Sequence, residues 1–345
     1  MTTSTLAPAP ASVRRPVPWQ RLLWVAWRRY RTTLFGILAL LALEAAYLVE
    51  RGHRMRSAYD AVQACTPTSS ASCRFAFENF HDTYASVGFI GSLLVWTPAV
   101  IGVFAGAPLL ARELETGTFR FAWTQGVGRT RWVVAHLVLG LVGVVVLSAA
   151  LGALVTWYDH PLVAGDIQPR LESGSFPLTG VAVVGWAVAA YALGVVAGVV
   201  GRRVVPALAA ALAVWTGLGF LTAEVLRRHY EAPLVTSRLG LKGVDLPIDQ
   251  WWTHGGQRVG QGQLNQALGA IGVRTDGGGN FLAHPGSAPA VDPVQYLLQH
   301  GYTQWTSYQP DSRYWTFQWI ELGWLAGLSV LLLAATWWWV RRRAA

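Results

Sequence analysis

Six apolar runs dominate the chain: Thr33–Val49, Val87–Ala111, Val133–Trp157, Leu178–Val200, Val204–Leu226 and Trp319–Val340. A bilayer-spanning α-helix needs about 20 apolar residues, with a range of roughly 17–25, and the runs meet that demand. The first is the weakest, being short and carrying Glu44; the second contains Pro98 and Pro108. Spanning helices tolerate proline because neighbouring helices satisfy the freed backbone groups. A spanning barrel would need roughly 10-residue segments of alternating polarity, whereas these runs are continuously apolar. The expected fold class is an all-α membrane protein with six transmembrane helices. Only 13% of residues are charged, against about 25% in a soluble domain. That deficit excludes an ordinary soluble enzyme, and the apolar content excludes a disordered chain.

Six crossings place both termini on one side, and the arginines sort with them. Residues 1–32, the 112–132 segment, the Gly201–Arg203 turn and the tail after Val340 hold 15 arginines, against two acids, Glu113 and Glu115. The segments on the other side are close to neutral. Basic residues in short loops stay in the cytoplasm, so a multi-pass plasma-membrane protein with both termini cytoplasmic is expected. Topology and attraction to anionic membrane lipid then explain the net charge of +9, and nucleic acid is not needed as a partner. Trp337, Trp338 and Trp339 precede Arg341–Arg343, and Trp315, Phe317 and Trp319 stand at the other end of the same run, as in aromatic belts. Arg28-Arg29 before the first run looks like a twin-arginine signal. Leu48-Val49-Glu50-Arg51 offers no small-residue cleavage site, so the run is read as a retained span.

Outside the spans, residues 1–18 are rich in Ala, Pro, Ser and Thr, which predicts disorder. Over 19–32, Trp19, Leu22, Leu23, Ala26, Trp27 and Tyr30 share a helical face opposite Arg21, Arg28 and Arg31. This predicts an N-terminal cytoplasmic amphipathic helix lying in the membrane interface; a plain extension of the first span is the other reading. Cys65 and Cys73 fall in the first outer loop, Glu50–Ser86, where a disulfide would persist. Zinc held with His53 or His81 is the alternative, without the tight Cys-x-x-Cys spacing such sites favour. Residues 33–226 form a five-helix membrane region, and 319–345 the sixth helix with its basic tail. Between them lies the longest polar segment, 227–318. Long structureless loops are uncommon, so a large extracellular loop subdomain with a short helix after Pro293 is expected.

The chemistry is sparse. The only lysine, Lys242, sits in Leu-Gly-Leu-Lys-Gly-Val, which is not the phosphate-binding loop of an ATPase. No metal or catalytic constellation is evident, so the chain is not expected to be an enzyme or to hold a cofactor. Charge within a span is costly and marks function by default, which makes Glu44 the candidate for a translocation pathway. Glu224 and Glu321 lie at span ends and read as interfacial, paired with Arg227 or Arg228. Gly102/Gly106, Gly194/Gly198 and Gly323/Gly327 each make a Gly-x-x-x-Gly pair, which supports close helix packing without locating it.

The segment between the second and third spans is the most informative. It runs Arg112-Glu113-Leu114-Glu115-Thr116-Gly117-Thr118, then Thr124 and Arg129. Its acids come first and its basic residues last, and Gly117, Gly126 and Gly128 would bound a short helix. If a helix begins at Glu113, that acid suits the positive end of the helix dipole. This pattern resembles the permease subunits of ABC exporters, type 2 subfamily. The six-span layout, the amphipathic N-terminus and the long segment before the last span are similar to that family too, and Tyr308-Gln309-Pro310 through Phe317-Gln318 is similar to its actinobacterial members. The resemblance implies that 112–131 is a coupling segment touching a separate ABC ATPase subunit, with Glu113, Glu115, Gly117 and Arg129 shaping the contact. It further implies a second permease copy, identical or related, with ATP and Mg bound by the partner subunit and export of an amphipathic, drug- or lipid-like substrate. An autonomous secondary transporter or channel, and a membrane sensor or immunity protein, are the competing readings.

Overall fold

The computed structural model describes residues 18–66, 70–84, 93–116, 129–237, 241–276, 280–283 and 291–343. Its helices are α1 (Trp19–Gln63), α2 (Ala71–Tyr84), α3 (Thr97–Thr116), α4 (Arg129–Ala164), α5 (Ala182–Gly201), α6 (Val204–Leu221), α7 (Gln261–Leu268), α8 (Pro293–Gln299) and α9 (Tyr314–Arg343). Among the described residues five helices are long and apolar enough to cross a membrane: α1, α4, α5, α6 with the turns that extend it, and α9. The apolar part of α3, Thr97–Arg112, is shorter, about 24 Å at 1.5 Å per residue. Residues 87–92, which the sequence assigns to the same span, lie outside the described residues.

One helix organises the others. The apolar window of α5 is 67% buried, whereas that of α1 is 11% and that of α6 17%. Its sequence is nearly all Ala, Gly and Val, and such small side chains let neighbouring backbones approach closely. On one flank α5 shares a core with α1, α3 and α4 through Val183, Ala187, Tyr191 and Val195. On the other it shares a core with α3, α6 and α9 through Ala182, Trp186 and Ala190. Large apolar side chains point outward around the bundle, among them Phe35, Leu43, Val146, Val205, Phe220 and Leu331. A soluble monomer rarely exposes so much apolar surface, but lipid tails can cover it.

The separate interfacial helix expected over 19–32 is not what the structure contains. Helix α1 runs unbroken through Gln63, because its N-terminal part has protein to pack on: Arg131 of α4 lies 5.0 Å from the Trp19 ring, and the buried Tyr30 stands beside His136. The far end of α1 also outruns its expected limit at Val49. Arg51 donates to Tyr158 Oη at 3.0 Å and to Thr83 O at 3.0 Å. Arg56 donates to Trp157 O and stacks 3.9 Å over that indole. These contacts hold the last turns of α1 against the end of α4. Beyond them Cys65 and Cys73 are bonded to each other, Cα to Cα 5.6 Å, and so are not thiolate ligands for zinc. Closing a loop of this length is worth about 2–3 kcal/mol by chain entropy. Accordingly, neither thiol should react with maleimide in the unfolded protein until a reductant is added. Labelling without reductant would refute the bridge.

The all-α expectation fails between α6 and α9. Here β1 (Leu234–Thr236), β2 (Leu246–His254), β3 (Gln257–Val259) and β6 (Tyr302–Gln309) make an antiparallel sheet in the order β1-β6-β2-β3. A second ribbon pairs β4 (Val273–Thr275) with β5 (Phe281–Ala283). The strands are short and mix aromatic with polar residues, so no apolar run announces them. Gly255 and Gly256, at φ 58° and 79°, supply the two left-handed positions that a tight β2–β3 hairpin requires. Asp292 caps α8 by accepting from Val294 N at 2.8 Å. Trp252, Leu264, Leu268, Val273 and Leu297 form the insert's own small core. The insert is tied down where Asp166 Oδ1 accepts from Val244 N at 3.0 Å and where Asp311 pairs with Arg170.

Candidate functional site

Three groups of polar residues stand out against the apolar bundle. The first is at the end shared by the termini. Helix α3 continues past its apolar part to Thr116, so Glu113 and Glu115 sit in its last turn. That reverses the dipole expectation for Glu113, because the C-terminal end of a helix is its negative end. Glu115 is compensated by another helix: its Oε2 accepts from Val204 N, the first residue of α6, at 3.3 Å, where the dipole is positive. Glu115 thus joins the end of α3 to the tight α5–α6 turn, in which Arg202 takes a left-handed φ of 52°. Arg129 opens α4. Gly117 and the rest of 117–128 lie outside the described residues, as do the side chains of Glu113 and Arg129.

The second group is Glu44, half-buried on α1 and facing the start of α3. Thr97 Oγ1 donates to its Oε1 at 2.8 Å, while its Oε2 is buried without a hydrogen-bond partner.

Of the third group the sequence showed the pairing of Glu321 with Arg227 or Arg228, but not its burial or its other partners. Glu321 is wholly buried rather than interfacial. Trp186 Nε1 of α5 donates to its Oε1 at 2.6 Å, and Arg227 reaches both oxygens at 3.1 and 3.2 Å. Tyr230 Oη donates to Oε2 at 3.4 Å and accepts from Trp324 Nε1 at 3.0 Å. The Arg227 guanidinium also lies 4.3 Å over the Phe176 ring. One turn before Glu321, Gln318 Oε1 accepts from Val181 N and Ala182 N at 2.9 and 2.7 Å, capping α5. Two backbone features bring these residues together. Helix α9 starts at Tyr314, not Trp319, which places Glu321 two turns inside it. A π-helical turn over Thr222–Leu226 precedes Arg227, and such turns re-aim the residues beyond them and recur at functional sites. Glu224, by contrast, is exposed and pairs with Arg228 one turn on, at 2.8 Å, so the interfacial reading holds for that residue. In water-poor surroundings this charge pair is a fastening between α6 and α9, built on α5.

A family model described as "ABC-2 membrane transporter related" matches residues 38–227, more than half of the chain. The chain belongs to that family. No curated protein and no solved structure matches it. The matched stretch begins within α1, contains the α3–α4 junction and ends at Arg227 of the buried pair. The insert and α9, which supplies Glu321, lie beyond it. This is therefore a multi-pass membrane permease of the ABC transporter type, and an ABC transporter implies an ATPase partner. Within the permease, the groups at Glu115 and at Glu321 sit at opposite ends of α6, so the two ends of one helix are each held by a carboxylate from another.

Proposed function

We propose that this permease is the membrane half of an ATP-driven exporter in the plasma membrane, with both termini cytoplasmic and the insert outside. The observation that carries the reading is the family match over 38–227, which contains the 112–131 segment. A separate ABC ATPase subunit binds ATP and Mg and docks on that segment through Glu113, Gly117 and Arg129. A second permease copy completes the translocation path, which Glu44 borders, and the substrate is amphipathic. Glu115 serves the docking indirectly, by holding the α5–α6 turn beside the segment. The charge distribution supports the orientation, because basic short loops are retained on the cytoplasmic side. The exposed apolar faces of α1 and α6 support contact with lipid and a second copy.

The test is gentle purification of the tagged permease from its native membrane, with identification of what accompanies it. A stoichiometric protein bearing a nucleotide-binding loop is expected. Glu115→Gln keeps an acceptor for Val204 N and should retain that partner. Glu115→Arg sets a cation against the positive end of α6 and removes the acceptor of Val204 N; by releasing the α5–α6 turn it should lower recovery of the partner at least roughly tenfold, about 1.4 kcal/mol. Recovery of the permease with no nucleotide-binding partner would overturn the exporter reading in favour of an autonomous transporter. Retention of the partner by Glu115→Arg would show that the link from Glu115 to the α5–α6 turn does not serve the docking.

A further inference from the structure

Where the end of α4 meets the 165–181 segment and the start of α9, two cavities adjoin, of about 140 and 40 Å³. Both are lined by Asp159, Gln168 and Ser175. Asp159 is half-buried, and among the described residues no donor is hydrogen-bonded to its carboxylate. Ser175 Oγ is buried there and also lacks a partner. The arginine in the wall, Arg170, is directed elsewhere than Asp159: its Nε and Nη2 are taken by Asp311, and its guanidinium lies 4.6 Å over the Tyr314 ring. Glu172 adds to the negative potential, being close enough to interact with Asp159. Tyr314 and Trp315 line the larger cavity, and Tyr84 and Tyr158 the smaller.

A carboxylate half-withdrawn from water without a partner carries an uncompensated charge, and a cation would relieve it. One carboxylate and a hydroxyl are too few oxygens for calcium, which takes six to eight. Among the described residues no group of three potential metal ligands exists. Tyr314 and Tyr84 already face the guanidiniums of Arg170 and Arg51, at 4.6 and 5.4 Å, so it is Trp315 beside the negative charge that suits an organic ammonium instead. The larger cavity is close in size to one of roughly 150 Å³ that accommodates a benzene ring. We propose that these cavities bind a small aromatic ammonium ion, with Asp159 as its counter-ion and Ser175 accepting from its N–H. The site belongs to this chain alone and goes beyond the transport reading. Its assay contains no ATPase, so the two can fail separately.

The full chain in phosphatidylcholine nanodiscs would be titrated with 2-phenylethylammonium by calorimetry, with 2-phenylethanol as the uncharged comparison. The ammonium should bind at least roughly tenfold tighter than the alcohol, a difference of about 1.4 kcal/mol. Asp159→Asn should abolish that preference, and Asp159→Glu should keep it. Because the Asp159 carboxylate has no hydrogen bond to lose, Asp159→Asn should unfold thermally no earlier than the natural chain. Equal binding of ammonium and alcohol to the natural chain would overturn the proposal. So would unchanged ammonium binding by a folded Asp159→Asn. If Asp159→Asn did not fold, the ammonium-to-alcohol ratio on the natural chain would decide alone.

Discussion

Replacing Glu321 with leucine is expected to lower stability by about 3–5 kcal/mol, the cost of leaving a buried charge without its partner. The Arg227 side chain is 5% exposed and that of Glu321 0%, so water cannot take over when the carboxylate is removed. Trp186 Nε1 and Tyr230 Oη would lose their acceptor in the same step, and Arg227 Nη1 is already buried without a partner. The double variant Arg227→Met with Glu321→Leu is expected to recover most of the loss, since an apolar pair of similar volume can replace a buried ion pair at little cost. Tryptophan fluorescence during detergent-induced unfolding would follow both, as Trp186, Trp215 and Trp324 stack around the site. A single variant as stable as the natural chain would show that water reaches the guanidinium. A double variant as unstable as the single one would show that the pair's geometry, not its charge balance, holds α6 to α9.

The second large effect is expected at Gly102 and Gly106. A Cβ on Gly102 would stand 2.3 Å from Ala187 O and 2.5 Å from Ala190 Cβ. One on Gly106 would stand 2.3 Å from Tyr191 O. All three obstacles are on α5, two of them backbone oxygens and the third a Cβ, so no side chain can swing aside. Gly194 and Gly198 answer from the α5 side, with Ala107 backbone atoms 2.8 and 2.6 Å from their added carbons. Alanine at Gly102 should therefore cost about 1–3 kcal/mol by overpacking, despite a gain of about 1 kcal/mol in helix propensity. The pair Gly102→Ala with Gly106→Ala should cost more than either. Gly323→Ala and Gly327→Ala meet nothing within 4 Å and should cost nothing, or add up to about 1 kcal/mol each through helix propensity. Equal losses at all four positions would mean that the α3–α5 approach is not what the glycines serve.

The three glycine pairs separate what the sequence by itself determined from what the tertiary structure decided. The length of an apolar run is a property of consecutive residues, so five long spanning helices and most of their positions could be read directly. So could the one-sided clustering of arginines and the helix after Pro293. Which face of a helix meets which neighbour is a different matter, because it depends on rotations set by contacts far apart in the chain. Nothing local distinguishes Gly102/Gly106 from Gly323/Gly327, yet one pair lies against α5 and the other meets open space. Nothing local distinguishes Glu321 from Glu224 either. One is buried because Trp186, 135 residues away, and Arg227, 94 residues away, converge on it. The other finds an arginine one turn on. The amphipathic pattern over 19–32 is genuine, but its apolar face is partly covered by α4, so α1 continues as one helix. The insert's strands are too short and too polar to signal themselves, and become a sheet only when β6 reaches back to pair with β1 and β2. Asp159 is an unexceptional acid near the end of an apolar run until the 165–181 segment and α9 close around it. Local composition decides what can enter a bilayer; the pairing of distant charges and surfaces decides what the helices do there.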